Sequence, residues 1–327
     1  ESYGWFMEDE MRFKEFTNGP ISINVAEEGE GPVILCVHGW PELWYSWRHQ
    51  ISKFSESGYR VCAMDVRGYG GTSKPLDVAS YSLKNLASDV ASVAAQLSDE
   101  PVVLFGHDWG APIVWHTALL HPDRVRAVAG LSVPYTPGTE LSFLDLAEQI
   151  YQGRFFYQKY FQEEGVAERE LEADPEQSLR KIYFSLSGDA PLDDWLKEKS
   201  ETKLLLDDLD SPDPFPDWLS DSDLRIYAEA FERGGFRGPL NRYRAQRIDL
   251  EELKSLRGLQ IKQPACFIGG ERDSVRHFVP GMDLFSAAGN GCDDYRGTTI
   301  ISGAGHWVQQ ERPAETNEAL ERFLSDL

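Results

Sequence analysis

The sequence predicts an α/β protein: a mostly parallel central sheet flanked by helices, with an all-helical cap inserted into it. Three observations carry this reading. Short apolar, β-branched runs alternate with amphipathic segments of helix length, which is the pattern of a parallel sheet covered on both faces. The alternation stops over residues 137–250, where only helical spacing is found, and then resumes. Residues able to carry chemistry stand just past the C-terminal ends of predicted strands, where open α/β sheets place their ligands. The expected organisation is a first core part over 1–136, a cap over 137–250 and a second core part over 251–327.

Taken in order, Arg12 to Phe16 and Ile21 to Ala26 flank Asn18-Gly19-Pro20 and read as a hairpin. Val33 to Val37 is a buried strand, and Trp44 to Ser55 has helical spacing. A strand over Arg60 to Met64, a helix over Leu83 to Leu97, a strand over Val102 to Phe105, a helix over Trp109 to Leu120 and a strand over Val125 to Val133 follow. In the cap, helices are expected over Phe143 to Tyr151, Phe155 to Phe161, Pro175 to Ser187 and Asp223 to Arg233, with the Asp- and Pro-rich stretch Asp207 to Asp217 as a loop. The core resumes with a strand over Ala265 to Gly269, a last strand ending at Thr299 to Ile301, and a helix over Pro313 to Phe323.

A chain of 327 residues, 41% hydrophobic, is long enough to bury a large core. Its 32 basic and 54 acidic residues leave a formal charge of −22, which repels phosphate backbones and anionic lipid, so neither nucleic acid nor a membrane is an expected partner. Apolar runs such as Val33 to Val37 fall far short of the ~20 residues a spanning helix needs, and no signal-like apolar segment follows Glu1, so the default expectation is a cytoplasmic protein with a native or trimmed N-terminus. Cys36, Cys62 and Cys266 lie in predicted strands and Cys292 in a loop, with no Cys-x-x-Cys pair; the seven histidines show no metal-ligand spacing. No metal and no cofactor are expected. Arg67-Gly-Tyr-Gly-Gly-Thr-Ser-Lys lacks the ending of a phosphate loop and reads as a structural turn.

The most informative string is Leu104-Phe-Gly-His-Asp108-Trp-Gly-Ala111, a strand running through Gly-x-Asp-x-Gly into a helix. In a sharp strand-to-helix turn of this kind the central residue is strained and close neighbours must be small, so its side chain is held above the sheet edge. The structural alternative is a helix-capping aspartate in an ordinary turn. Context favours chemistry, because Phe267-Ile-Gly-Gly-Glu-Arg-Asp273 and Ser302-Gly-Ala-Gly-His306-Trp307 also follow predicted strands, giving nucleophile, acid and histidine in the order Asp108, Asp273, His306. Glu271 is the rival acid in the same loop. A carboxylate at the elbow suits displacement at a saturated carbon, since it is already ionised near neutral pH; a serine would suit acyl carbon.

These strings, together with HGWPELWYSWRHQ from His38, DVRGYGGTSKP from Asp65, YFQEEGVAE from Tyr160 and GFRGPLNRYR from Gly235, resemble the α/β-hydrolase-fold epoxide hydrolases of the soluble bacterial and mammalian type, over Arg12 to Leu327. The resemblance implies an α/β-hydrolase fold and conversion of an epoxide and water to a vicinal diol through an alkyl ester on Asp108. In that scheme the backbone N–H groups of Trp40 and Trp109 form the oxyanion hole, and His306, oriented by Asp273, activates the water. Ring opening is assisted by two cap tyrosines, which match Tyr160 and Tyr243, with Tyr183 as the substitute. Arg242 stands beside Tyr243 where many relatives carry tryptophan, either in the pocket wall or toward solvent. Trp40, Trp44, Trp109, Phe278 and Trp307 are candidate walls for a small apolar epoxide. A homodimer is compatible with this reading.

The nearest rival is a haloalkane dehalogenase, which shares the Asp-Trp pair but typically has an Asn where this chain has Trp40. A fluoroacetate-type enzyme would need an arginine directly after the nucleophile, where Trp109 stands. A serine esterase lacks its serine, and a noncatalytic binding module on the same fold would have no reason to keep all five catalytic positions.

Overall fold

The computed structural model describes residues 11–327. Eight strands form one sheet: β1 (Arg12–Asn18), β2 (Ile21–Glu28), β3 (Val33–Val37), β4 (Arg60–Met64), β5 (Val102–His107), β6 (Val125–Leu131), β7 (Ala265–Gly270) and β8 (Tyr295–Ile301). Their spatial order is β1-β2-β4-β3-β5-β6-β7-β8. The first hairpin and its junction with β4 are antiparallel, and the remaining pairs are parallel. The predicted strands are all present; the one expected to reach Val133 ends at Leu131, because Ser132 turns the chain with φ +67°.

Core helices α1 (Arg48–Glu56), α2 (Leu83–Leu97) and α3 (Gly110–Leu120) follow the early strands, and the segment expected to be helical from Trp44 begins as a single 3₁₀ turn over Trp44–Trp47. The cap supplies α4 (Phe143–Ile150), α5 (Tyr157–Tyr160), α6 (Val166–Leu171), α7 (Pro175–Ser185), α8 (Asp221–Gly234), α9 (Arg237–Arg244) and α10 (Gln246–Glu252). Helices α11 (Val308–Glu311) and α12 (Pro313–Ser325) close the core. Three cap helices, α6, α9 and α10, were not expected. In α9 the Gly238-Pro239 pair reads as a turn but sits in the first helical turn, where a missing N–H costs nothing. The cap boundary expected at 250 falls inside α10.

Side-chain alternation along the strands divides the core. Ile34 and Cys36 of β3 face one side with Trp47, Phe54, Phe105, Leu320 and Phe323. Leu35 and Val37 face the other with Val90, Leu104 and Val114, and that cluster runs without a break into cap residues Phe161, Leu179, Phe236 and Tyr243. The cap is therefore packed onto the core through apolar contact.

The Gly-rich turn after β4 is structural. Asp65 accepts the Gly71 N–H at 2.9 Å and the Asn24 side-chain amide at 2.9 Å, and Arg67 forms a buried pair with Asp89 at 2.7 Å. No helix among the described residues is long and apolar enough to cross a membrane.

Candidate active site

Parallel strands β3, β5, β7 and β8 all end on one edge of the sheet, so the loops after them meet there. Asp108 sits at the turn between β5 and α3 with φ +51°, a left-handed conformation that a non-glycine residue adopts only when its surroundings impose it. Those surroundings are crowded. A Cβ on Gly110 would lie 2.0 Å from the Val37 carbonyl oxygen, one on Gly106 would lie 2.3 Å from the Gly110 oxygen, and one on Gly39 would lie 2.3 Å from the Asp108 Cβ. The glycines at these positions let α3 and the β3 loop close onto the turn and hold the carboxylate upright.

His306 bridges the two acids. Its Nε2 lies 3.1 Å from Asp108 Oδ2, and its Nδ1 lies 3.0 and 3.1 Å from the two Asp273 oxygens. Asp273 is fully buried and also accepts the Val275 N–H at 2.9 Å, which fixes its orientation. The rival Glu271 turns away and accepts from Ser302 and from the Gly303 N–H, so Asp273 is the acid of this loop that stands against His306. Exposure separates the roles: the Asp108 side chain is 15% exposed, while those of His306 and Asp273 are 3% and 0%.

Burial opposes the charged imidazole of His306, but the Asp273 and Asp108 carboxylates outweigh it and hold its pKa well above the ordinary value. Burial likewise opposes the Asp108 charge, but the hydrogen bond to His306, the charges of His306 and His107 and the Trp40 N–H keep its carboxyl below the usual range. Trp40 donates its backbone N–H to Asp108 Oδ1 at 2.7 Å, from a loop whose Trp40–Pro41 peptide is cis. Among the described residues it is the only backbone N–H that donates to this carboxylate. The expected second donor, Trp109, stands at the N-cap of α3 and does not hydrogen-bond to Asp108 here.

The cap tyrosines are where the structure corrects the expectation. Tyr243, on α9, lies over the nucleophile loop with its ring 5.4 Å from Trp109 and 5.7 Å from Trp40. Tyr160 does not join it. Its hydroxyl donates to Glu170 Oε2 at 2.7 Å, and Glu170 in turn receives the Leu205 and Leu206 N–H groups, so Tyr160 braces the cap loop. One helical turn earlier, Tyr157 is the residue beside Tyr243, at 5.7 Å between rings. Tyr157 also feels the Asp108 charge directly: burial first, then Asp108, pushes its pKa far up. For Tyr243, burial, then Tyr157 and Asp108, act in the same direction. Both phenols stay protonated at neutral pH. The Tyr157 oxygen accepts the Gln158 amide at 2.8 Å, which leaves its O–H proton free to donate, and the Tyr243 hydroxyl donates to no protein acceptor among the described residues. Tyr183, the proposed substitute, is committed to the Pro41 carbonyl at 2.6 Å.

Of the candidate walls, Phe278 packs against Tyr157 at 5.9 Å and Trp40 against Phe161 and Tyr243. Trp307 lies behind His306, its indole N–H donated to the Tyr183 carbonyl. Trp44 packs against Phe13 of β1, away from the cap tyrosines. Arg242 is buried, ion-paired with Asp249, and stacked on the Trp109 ring at 4.7 Å, so it backs Trp109 and does not reach solvent.

A second buried pair was not anticipated. His107 Nδ1 lies 2.8 Å from Glu42, and its Nε2 donates to the His306 carbonyl at 2.7 Å. A carbonyl oxygen can only accept, which makes the Nε2 of His107 the donor to the His306 carbonyl. Glu42 also receives the Gly39 N–H at 2.9 Å, tying the β3 loop to the base loop. The Glu of His-Gly-x-Pro-Glu was visible as a string, but its partner lies 65 residues away. Among the described residues no cluster of His, Cys, Asp and Glu could hold a metal ion.

Fold and site together define an α/β-hydrolase in which aspartate occupies the nucleophile position, and residues 32–197 match the α/β hydrolase fold family. The likeness extends well beyond that segment. The chain is 40% identical to Epoxide hydrolase A of Mycobacterium tuberculosis (strain ATCC 25618 / H37Rv) over 95% of its own length and 96% of that protein. An epoxide hydrolase from an endophytic Streptomyces superposes with a TM-score of 0.92 at 38% identity, covering 97% of this chain and 96% of that one. Potato epoxide hydrolase I superposes with a TM-score of 0.87 at 34% identity, over 97% and 100%. The chain belongs to the epoxide hydrolases of the α/β-hydrolase fold.

Proposed function

We propose that the protein opens an apolar epoxide by attack of Asp108 and hydrolyses the resulting ester with water activated by His306. The observation that carries this reading is the pair of protonated phenols, Tyr157 and Tyr243, facing an ionised aspartate on the nucleophile elbow. Asp108 attacks one ring carbon and forms a C–O ester bond. The C–O bond of the ring breaks, and the oxygen takes a proton from one of the phenols, because an alkoxide is a poor leaving group and a phenol is far more acidic than the product alcohol. Tyr157 takes the place expected for Tyr160.

Esterification removes the negative charge of Asp108 from beside His306. One of the two carboxylates that hold the imidazole protonated is then gone, so its pKa falls: it releases its proton as the phenolate left by ring opening takes one up, and the neutral ring can then accept a proton from water while Asp273 supports the cation that forms. Water attacks the Asp108 carbonyl carbon, the oxyanion is met by the Trp40 N–H, and collapse releases the diol and restores the carboxylate. The aromatic lining from Trp40, Trp109, Tyr157 and Phe278 suits a small apolar substrate.

Product analysis tests the function. With styrene oxide the enzyme should yield the vicinal diol, and with 1-chlorobutane it should release no chloride. Chloride without diol would overturn the reading in favour of dehalogenation. That rival is disfavoured because the position where it would typically carry an asparagine is Trp40 here, whose buried indole N–H makes no hydrogen bond, and because two phenols stand over the aspartate.

The choice between the two cap tyrosines on α5 has its own test. Tyr157→Phe should lower ring opening about 10²-fold or more, the usual contribution of a positioned general acid. Tyr160→Phe should leave turnover within about threefold while costing roughly 1–2 kcal/mol of stability, through loss of a hydrogen bond to a charged partner. Rapid-mixing rates and a denaturant melt on both variants distinguish the roles, and a larger rate loss in Tyr160→Phe would restore the original assignment.

A further inference from the structure

The loop carrying His306 is held from the cap as well as from the core. Helix α7 ends at Ser185, and the carbonyls at such an end have no partner within the helix. Two of them find partners in the base loop. The His306 N–H donates to the Leu186 carbonyl at 2.8 Å, and the Trp307 indole donates to the Tyr183 carbonyl at 2.8 Å. Glu311, buried at the end of α11, closes the junction. Its Oε2 receives the Gly188 N–H of the cap at 2.8 Å and the Gly305 N–H at 2.9 Å, and its Oε1 receives the Trp307 N–H at 3.0 Å. Among the described residues no cation pairs with this carboxylate, so three backbone donors alone support it, and burial raises its pKa to about 7. The fit is close: a Cβ on Gly188 would lie 2.0 Å from the Gly303 oxygen, and one on Gly305 would lie 2.4 Å from the Gly188 nitrogen.

The chain on both sides of His306, at Gly305 and Trp307, is thus clipped by one carboxylate to Gly188 in the segment that follows cap helix α7, while Asp273 controls only the ring. We propose that Glu311 is a positioning residue for the base, and that through it the seating of the cap sets the rate of ester hydrolysis without setting the rate of ester formation. This rests on the reading in which His306 acts only in the second step. Formation depends on Asp108 and on the phenols Tyr157 and Tyr243, carried by α5 and α9, and Glu311 makes none of its hydrogen bonds to either helix.

The experiment is a single turnover of excess enzyme with styrene oxide, quenched at intervals and read by intact mass as the growth and decay of the covalent adduct. Glu311→Gln keeps the shape but places an amide N–H₂ against backbone donors. Adduct decay should slow about tenfold or more while adduct formation changes less than about threefold, so that the esterified form accumulates during steady turnover. Equal slowing of both steps, or no change in decay, would overturn the proposal. Gly188→Ala strains the same clip from the cap side with Glu311 intact and should show the same split; it decides the question if the Glu311 variant does not fold. The absence of any adduct even in His306→Gln would instead refute the ester mechanism itself, so the two failures are distinguishable.

Discussion

His306→Gln should convert the enzyme into a trap for its own intermediate. In the proposed mechanism the substitution removes the group that takes the proton from water but leaves Asp108, the Trp40 N–H at 2.7 Å and both phenols in place. Ring opening therefore continues, and ester hydrolysis falls by about 10³-fold, within the usual range for loss of a general base together with its orientation. Incubated with styrene oxide, the variant should gain the whole mass of the epoxide, because opening a ring expels no atom. A gain equal to a chloroalkane less HCl, and nothing with styrene oxide, would identify a dehalogenase. Loss of the imidazole also removes the hydrogen bond and charge that hold the Asp108 pKa down. Adduct formation in the variant should accordingly weaken at a higher pH than in the unmodified enzyme as the solution is acidified.

Asp108→Asn should abolish both steps. The amide is nearly isosteric and leaves the elbow intact, so the fold should survive, but its nitrogen and carbonyl are far weaker nucleophiles than a carboxylate. Turnover should fall by about 10⁴–10⁶-fold, the scale seen when a covalent nucleophile is removed, and no adduct should appear by intact mass. An adduct retained at another residue would show that Asp108 is not the nucleophile. The substitution has a second expected effect. One of the two carboxylates beside His306 is lost, and with it part of the negative charge holding its pKa up, so the imidazole of the free variant should titrate at lower pH than in the unmodified enzyme. Titration of the histidine ring signal by NMR in both proteins measures this directly.

The glycines at the nucleophile turn illustrate why some of the site is legible without coordinates. Gly106 and Gly110 are spaced around Asp108 where the strand turns into a helix close to the neighbouring strand, and a Cβ added there would lie 2.3 Å and 2.0 Å from backbone oxygens. Asp273 and His306 were readable for a related reason. In a parallel sheet every strand ends on the same edge, so an acid and a histidine just past successive strands are brought together by topology. The order of the strands and the periodicity of their apolar residues are local properties, and local properties survive translation into structure.

The cap is different. Tyr157 and Tyr160 are one turn apart on α5, both aromatic and both within the string that suggested the family, and no local property separates them. Glu170, ten residues on, takes the hydroxyl of one, and α9 lays Tyr243 against the other. The partnerships Glu42 with His107, Arg242 with Trp109 and Glu311 with Gly188 likewise join residues distant in the chain. By itself the sequence determined the sheet, the elbow and the gathering of Asp108, Asp273 and His306 at one sheet edge, because each follows from backbone periodicity and from where strands end. Only the tertiary structure decided which phenol lies beside Tyr243 and what holds the loop of His306, because those depend on how helices of an inserted cap pack across the sheet edge.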